Sequence, residues 1–120
     1  MSQSIAINQL NHALVASIQI DLTESALREF NHELLTKLQS TRAKGVLIDL
    51  SDVRTFEPQD FLRLLDVAKT VCVMGRRCLF VGLRPGVVIG LVNLGLDLPE
   101  LRCVANLDDG LSQIKDDSLW

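Results

Sequence analysis

An α/β domain with a mixed, mostly parallel sheet and helices, in the order ββαβαβαβα, is the fold class this sequence predicts. Three features carry that prediction. Two alternating runs near the N-terminus suit an antiparallel pair, and two short apolar runs, one at residues 46–49 that ends on Asp49 and one at 78–81, suit parallel strands buried on both faces. Segments with helical spacing separate these strands through short loops, which implies right-handed crossovers.

Ile5 and Ile7, then Leu14, Ala16, Ile18 and Ile20, alternate with polar or small residues, and Asn11-His12 lies between the two runs, so the chain opens with a β-hairpin. Thr23 before Glu24 is an N-cap signal. Ala26, Leu27, Phe30, Leu34, Leu35 and Leu38 follow at spacings of three and four, with acids early and Lys37 late. They predict an amphipathic helix of about four to five turns. Gly45 punctuates the passage into a third strand at 46–49. Pro58 opens a second helix with the apolar set Phe61, Leu62, Leu65, Ala68, Val71 and Cys72, ending near Met74 and Gly75.

The run at 78–81, bounded by Arg76, Arg77 and Gly82, is the next buried strand. A turn of Leu83, Arg84, Pro85 and Gly86 starts a third helix, whose face of Val87, Val88, Leu91 and Leu94 runs on to Gly95. That face reads first as a core stripe; the Leu96, Asp97, Leu98 and Pro99 that follow show more apolar surface than a loop needs, which suggests a contact between subunits. A short strand around Cys103, Val104 and Ala105 and a helix from near Leu107, with Leu111 and Ile114 inward, complete the order. With no internal repeat, linker or low-complexity segment, residues 1–120 are expected to form one domain, with 115–120 as a loose tail.

Composition narrows the function. The chain is 48 % apolar over 120 residues, enough for a single core. Twelve Lys plus Arg stand against 15 Asp plus Glu, for a net charge of −3, and they are scattered, so nothing invites nucleic acid. Tyrosine is absent and Trp120 is the only tryptophan, which leaves no platform for stacking bases. No apolar segment approaches the roughly 20 residues of a membrane span, and no cationic region precedes an apolar one at the N-terminus, so the expected location is the cytoplasm. Cys72, Cys78 and Cys103 lack metal-ligand spacing and sit in otherwise apolar runs; buried, reduced thiols are expected. No cofactor and no metal are called for.

The most informative stretch runs from residue 45 to 60, where a buried strand ends at Asp49, a polar loop follows, and a helix begins at Pro58. A helix start offers unpaired N–H groups and partial positive charge, a place where a phosphorylated hydroxyl is held well. Here proline stands in it. Proline is itself favoured at the first helical position, and Glu57 beside it suits a helix N-terminus. That structural reading of Glu57 is preferred over a fixed substitute for phosphoserine, because one carboxylate lacks the charge of about −1.5 to −2 and the three acceptor oxygens. Ser51 and Thr55 are the remaining loop hydroxyls; bracing of nearby backbone is preferred over a role as alternative acceptors. Asp49 and Asp52 lack a third ligand for a metal and read better as recognition surface. Gly82, Arg84 and Gly86 form a possible anion site before a helix, without P-loop or dinucleotide spacing, so a tight strand-to-helix turn is preferred. His12 and His32 read as surface histidines with no nucleophile in register, and no catalytic constellation is present.

Three segments together resemble a STAS domain, the fold of bacterial anti-sigma factor antagonists. They are Ala13-Leu-Val-Ala-Ser-Ile-Gln-Ile, Gly45-Val-Leu-Ile-Asp-Leu-Ser-Asp-Val and Gly82-Leu-Arg-Pro-Gly-Val-Val-Ile-Gly-Leu-Val-Asn-Leu-Gly-Leu-Asp, and the match covers nearly the whole chain. The first is characteristic of the RsbS-like branch that scaffolds stressosomes. The resemblance implies a non-enzymatic interaction module in a large homo-oligomeric or mixed assembly. Its implied partners are RsbR-like STAS proteins and an RsbT-like serine/threonine switch kinase, met by a loop of Asp49, Ser51, Asp52, Thr55 and Glu57. It also implies two phosphoacceptor positions, which fall here at Pro58 and Gly90; neither residue can take phosphate. Two alternatives are a STAS subunit of a lipid-transport ABC complex, binding an ATPase, and a nucleotide-binding domain using the turn at 82–86.

Overall fold

The computed structural model describes residues 5–19, 23–54, 57–93, 95 and 102–120. Strands β1 (Ile5–Leu10) and β2 (Ala13–Ile18) form the hairpin, with Asn11 at φ 55° in its turn. Helix α1 (Glu24–Ser40), strand β3 (Gly45–Asp49), helix α2 (Pro58–Val73) and strand β4 (Arg77–Val81) follow. Helix α3 (Pro85–Asn93), strand β5 (Cys103–Val104) and helix α4 (Leu107–Lys115) complete the ββαβαβαβα order. The five strands lie in sequence order; β1 pairs antiparallel to β2, from Ile5 opposite Ile18 to Leu10 opposite Ala13, and every other pair is parallel.

Parallel strands taken in sequence order need crossovers of one hand, which send successive helices to the same face. The core divides accordingly. Leu27, Phe30 and Leu34 of α1, Phe61 and Leu64 of α2, and Val87 and Leu91 of α3 pack with Val46, Ile48 and Phe80 on one face. Ile114 of α4 packs with Val15, Leu47 and Leu79 on the other. β3 and the apolar part of β4 are thus covered on both sides, the reason their sequences run apolar without alternation. Thr23 caps α1 as expected, its Oγ1 accepting from the Ala26 N–H at 3.0 Å.

The inward face of α2 differs from the sequence expectation. Leu62 and Cys72 are exposed, while Leu64 and Val67 are buried, because apolar residues at 61–73 offer two overlapping helical stripes and the sheet takes the one centred on Phe61, Leu64 and Val71. Phe61 is fully buried and its ring centroid lies 5.4 Å from that of Phe80, which pins the first turn of α2 to β4. On α3, Val88 points outward rather than into the core, and the helix ends at Asn93, short of Gly95. Leu94 and residues 96–99, read as a surface for association, lie outside the described residues, as does Ile20.

Two further expectations are corrected. Cys78 is buried and its thiol is raised well above the ordinary range by desolvation, but Cys72 and Cys103 are exposed. Cys72 sits on the outer side of α2, and Cys103 lies on the two-residue edge strand, where partial burial still raises its thiol. Native protein should therefore react with a thiol reagent at Cys72 and Cys103 and spare Cys78 until it unfolds; mass spectrometry after a brief alkylation checks this, and equal labelling of all three would show that β4 is not closed in. His12 is half-buried, with its Nε2 3.0 Å from the Leu111 carbonyl oxygen, whereas His32 is exposed as expected.

The C-terminal residues are folded back, not loose. Asp116 caps a 3₁₀ turn (Asp117–Leu119) by accepting from the Ser118 N–H, and Asp117 accepts from Arg77 at 2.6 Å and pairs with Lys44 at 3.4 Å. Trp120 donates from Nε1 to the Gln113 carbonyl at 2.8 Å and lies under the Arg102 guanidinium at 3.9 Å. The three cations that hold this turn come from distant parts of the chain.

Candidate partner-binding site

The carboxyl ends of β3 and β4 build the site. Asp49 pairs with Val81 in the parallel register, so the residues after each strand emerge side by side. The Leu50 N–H continues the ladder to the Val81 carbonyl at 2.9 Å, and the Val53 N–H closes a turn on the Leu50 carbonyl at 3.0 Å. Leu50 and Val53 are buried, which anchors the loop from below. Ser51 Oγ donates to Asp49 Oδ1 at 2.6 Å and the Ser51 N–H donates to the same oxygen at 3.0 Å. This is the bracing role expected of Ser51, and it occupies the hydroxyl with a carboxylate partner.

The structure brings the second loop against the first. Arg84 Nε donates to the Ser51 carbonyl oxygen, and Gly82, at φ 70°, packs so closely that a Cβ there would lie 2.2 Å from Ser51 Oγ. Gly82 and Arg84, read from sequence as a tight strand-to-helix turn with a possible anion site, are the other half of the Asp49–Ser51 brace. Gly86 sits exposed in the first turn of α3, where the Arg84 carbonyl accepts from the Val87 and Val88 N–H groups at 3.0 Å each. This coupling of loops was missed in sequence, though the signal was present: aligning the ends of two adjacent parallel strands places residues 50–52 beside 82–84.

Glu57 stands at the N-cap of α2 in extended conformation (φ −69°, ψ 142°), exposed and with no side-chain capping bond, and Pro58 occupies the first turn. The Glu57 carbonyl accepts from the Asp60 N–H at 3.0 Å, and Asp60 in turn pairs with Arg63 at 3.3 Å. Asp52 is exposed next to the braced pair. Thr55 lies outside the described residues. Gly90 is on the exposed side of α3, with open space where a side chain would stand. The arrangement is a braced platform at one end of the sheet, with Asp52 and Glu57 exposed alongside Arg54 and Arg84. Among the described residues no group of three or more His, Cys, Asp or Glu side chains is placed to hold a metal, and no helix is long and apolar enough to cross a membrane.

This architecture is shared with solved anti-sigma factor antagonists and STAS proteins. The chain has the STAS fold, the fold of anti-sigma factor antagonists. In sequence as well as fold it is similar to stressosome proteins. A serine-to-glutamate variant of RsbS from Moorella thermoacetica is 27 % identical with a TM-score of 0.80, covering 95 % of this chain and 96 % of that one. A chain of the stressosome, described as a signal integration and transduction hub, is 26 % identical, also with a TM-score of 0.80, over 92 % of this chain and 96 % of its own. The RsbT co-antagonist protein RsbRA of Bacillus subtilis is 29 % identical over 119 residues, which is 91 % of this chain and 43 % of RsbRA, so the chain spans less than half of that relative. No protein-family model matches the chain.

Proposed function

We propose that this protein is a non-enzymatic, RsbS-like interaction module of a cytoplasmic stress-signalling assembly, which holds an RsbT-like serine/threonine kinase and RsbR-like STAS proteins. The end-to-end correspondence with RsbS, 27 % identity across 95 % of this chain, carries the reading. Two features of geometry fit it. Val88, Ile89 and Val92 expose 42, 62 and 57 % of their surfaces on the outer side of α3, an apolar strip suited to packing against a neighbouring STAS domain. The braced Asp49–Ser51 turn, with the exposed acids Asp52 and Glu57, offers a face to a kinase, while the usual phosphoacceptor is replaced by Pro58.

Mixing the chain with the RsbT-like kinase and the RsbR-like protein of its own genome, followed by sizing and mass spectrometry after ATP addition, tests the reading. The chain should enter a large particle, retain kinase, and carry no phosphate at residues 57–58. Ser51 should also stay unmodified, because its hydroxyl is bonded to Asp49 and packed on Gly82. A monomer that joins neither partner would overturn the assembly role, and co-purification with a transport ATPase would replace it. Phosphate on Thr55 would show that the acceptor has moved within the loop and that the switch persists.

A further inference from the structure

A cleft lies at the opposite end of the sheet, where β3 and β4 begin. It is a shallow hollow of about 410 Å³, widely open to solvent and lined by Arg42, Lys44, Arg76 and Arg77, with Thr41 and Gly75 beside them. In a chain of net charge −3, that places four of its 12 Lys and Arg around one hollow. Like charges gathered this closely repel one another unless a counter-charge is bound, and guanidinium forks match tetrahedral oxyanions. Arg77 spends its Nη1 on the Ile114 carbonyl and Arg76 one Nη1 donor on the Ala43 carbonyl at 2.8 Å, whereas Arg42 makes no ion pair or hydrogen bond among the described residues. Gly75, at φ 80° with no atom within 4 Å of where a Cβ would stand, leaves the mouth open.

A single acid touches this cluster among the described residues. Asp117 pairs with Arg77 at 2.6 Å and with Lys44 at 3.4 Å, and these contacts hold its carboxyl below the ordinary value. One carboxylate against four cations leaves the hollow under-neutralised. The same turn carries Trp120, stacked on Arg102 and 5.5 Å from the Arg77 guanidinium, so the occupant of the cleft and the indole share an arginine. We propose that this cleft binds a small polyanion of the phosphate class, and that Asp117 is its resident stand-in, displaced with the C-terminal turn when the anion enters. The site lies away from the Asp49–Ser51 platform and does not depend on the kinase reading.

Titration of the full chain with inorganic pyrophosphate at constant ionic strength, followed by calorimetry and by Trp120 fluorescence, is the test. Saturable binding with a parallel change in the indole signal is expected. Asp117→Asn removes the competing carboxylate and should tighten binding about fivefold, the scale of one exposed ion pair. The double substitution Arg42→Gln with Lys44→Gln should weaken it by about tenfold or more. The side chains of Lys44 and Asp117 are 45 and 75 % exposed, so these variants leave the core intact. A non-saturating response, or equal affinity in all three proteins, would reduce the effect to screening and overturn the site. Binding without any change in Trp120 would overturn the displacement.

Discussion

Replacing Gly82 with valine should lower folding stability by roughly 3 kcal/mol or more, seen as a fall in the urea midpoint at unchanged slope. Two effects add at this position. A left-handed backbone, φ 70°, disfavours any side chain by about 1–2 kcal/mol, and a β-branched one more. The new Cβ would also stand 2.2 Å from Ser51 Oγ and 3.3 Å from Ser51 Cα, so backbone as well as hydroxyl would have to move. Ser51 has little room to retreat, being tied to Asp49 through its side chain and N–H and to Arg84 through its carbonyl. Gly75→Ala supplies the comparison, since its φ of 80° carries the backbone cost while nothing lies within 4 Å. That variant should lose only about 1–2 kcal/mol. Equal losses in Gly75→Ala and Gly82→Ala would show that contact with Ser51 constrains nothing, and that the two loops are not a unit.

Much of this fold is legible in the chain because its strands and helices follow different periods. The runs at 46–49 and 78–81 are too short and too apolar for surface helices, and Thr23, Pro58 and Gly45 mark boundaries by their own backbone chemistry. Facing directions were harder to read. α3 is nearly apolar all round over nine residues, so no polar side marks its outside, and Val88 cannot be told from Val87 by spacing. In α2 both Leu62 and Leu64 satisfy a helical stripe, and only packing against the sheet chooses between them. The last five residues look solvated because they contain two acids and a serine, but what holds them is Lys44, Arg77 and Arg102, which no local window contains. That a polar loop follows the carboxyl end of β3 is legible in the sequence. Residues 82–86 read there as a separate site, since pairing of the two loops comes from strand register.

The platform's behaviour as a switch should depend on one residue. Pro58→Ser should make kinase binding sensitive to ATP, where the parent protein, lacking an acceptor at the start of α2, stays insensitive. The reason lies in how α2 begins. Glu57 supplies no side-chain cap and stands in extended conformation, and the first turn of any helix has N–H groups without intrahelical partners. A serine at residue 58 puts a hydroxyl where those donors and the helix dipole favour phosphate, and the modification adds a charge of about −1.5 to −2. That charge would arise beside Glu57, which is exposed, and Asp60, which is partly neutralised by Arg63 at 3.3 Å. The added negative charge would change the electrostatics of a partner docked on this face and favour its release. The substitution itself should shift stability by less than about 1 kcal/mol, because serine and proline are both tolerated at a helix start and the turn is fixed by Phe61 packed on Phe80. Kinase retained on immobilised protein, with and without ATP, measures the effect, and a phosphate at residue 58 in the variant accounts for it. Equal release from both proteins would mean that proline here is a helix-start residue and nothing more, and that any control of the kinase acts elsewhere.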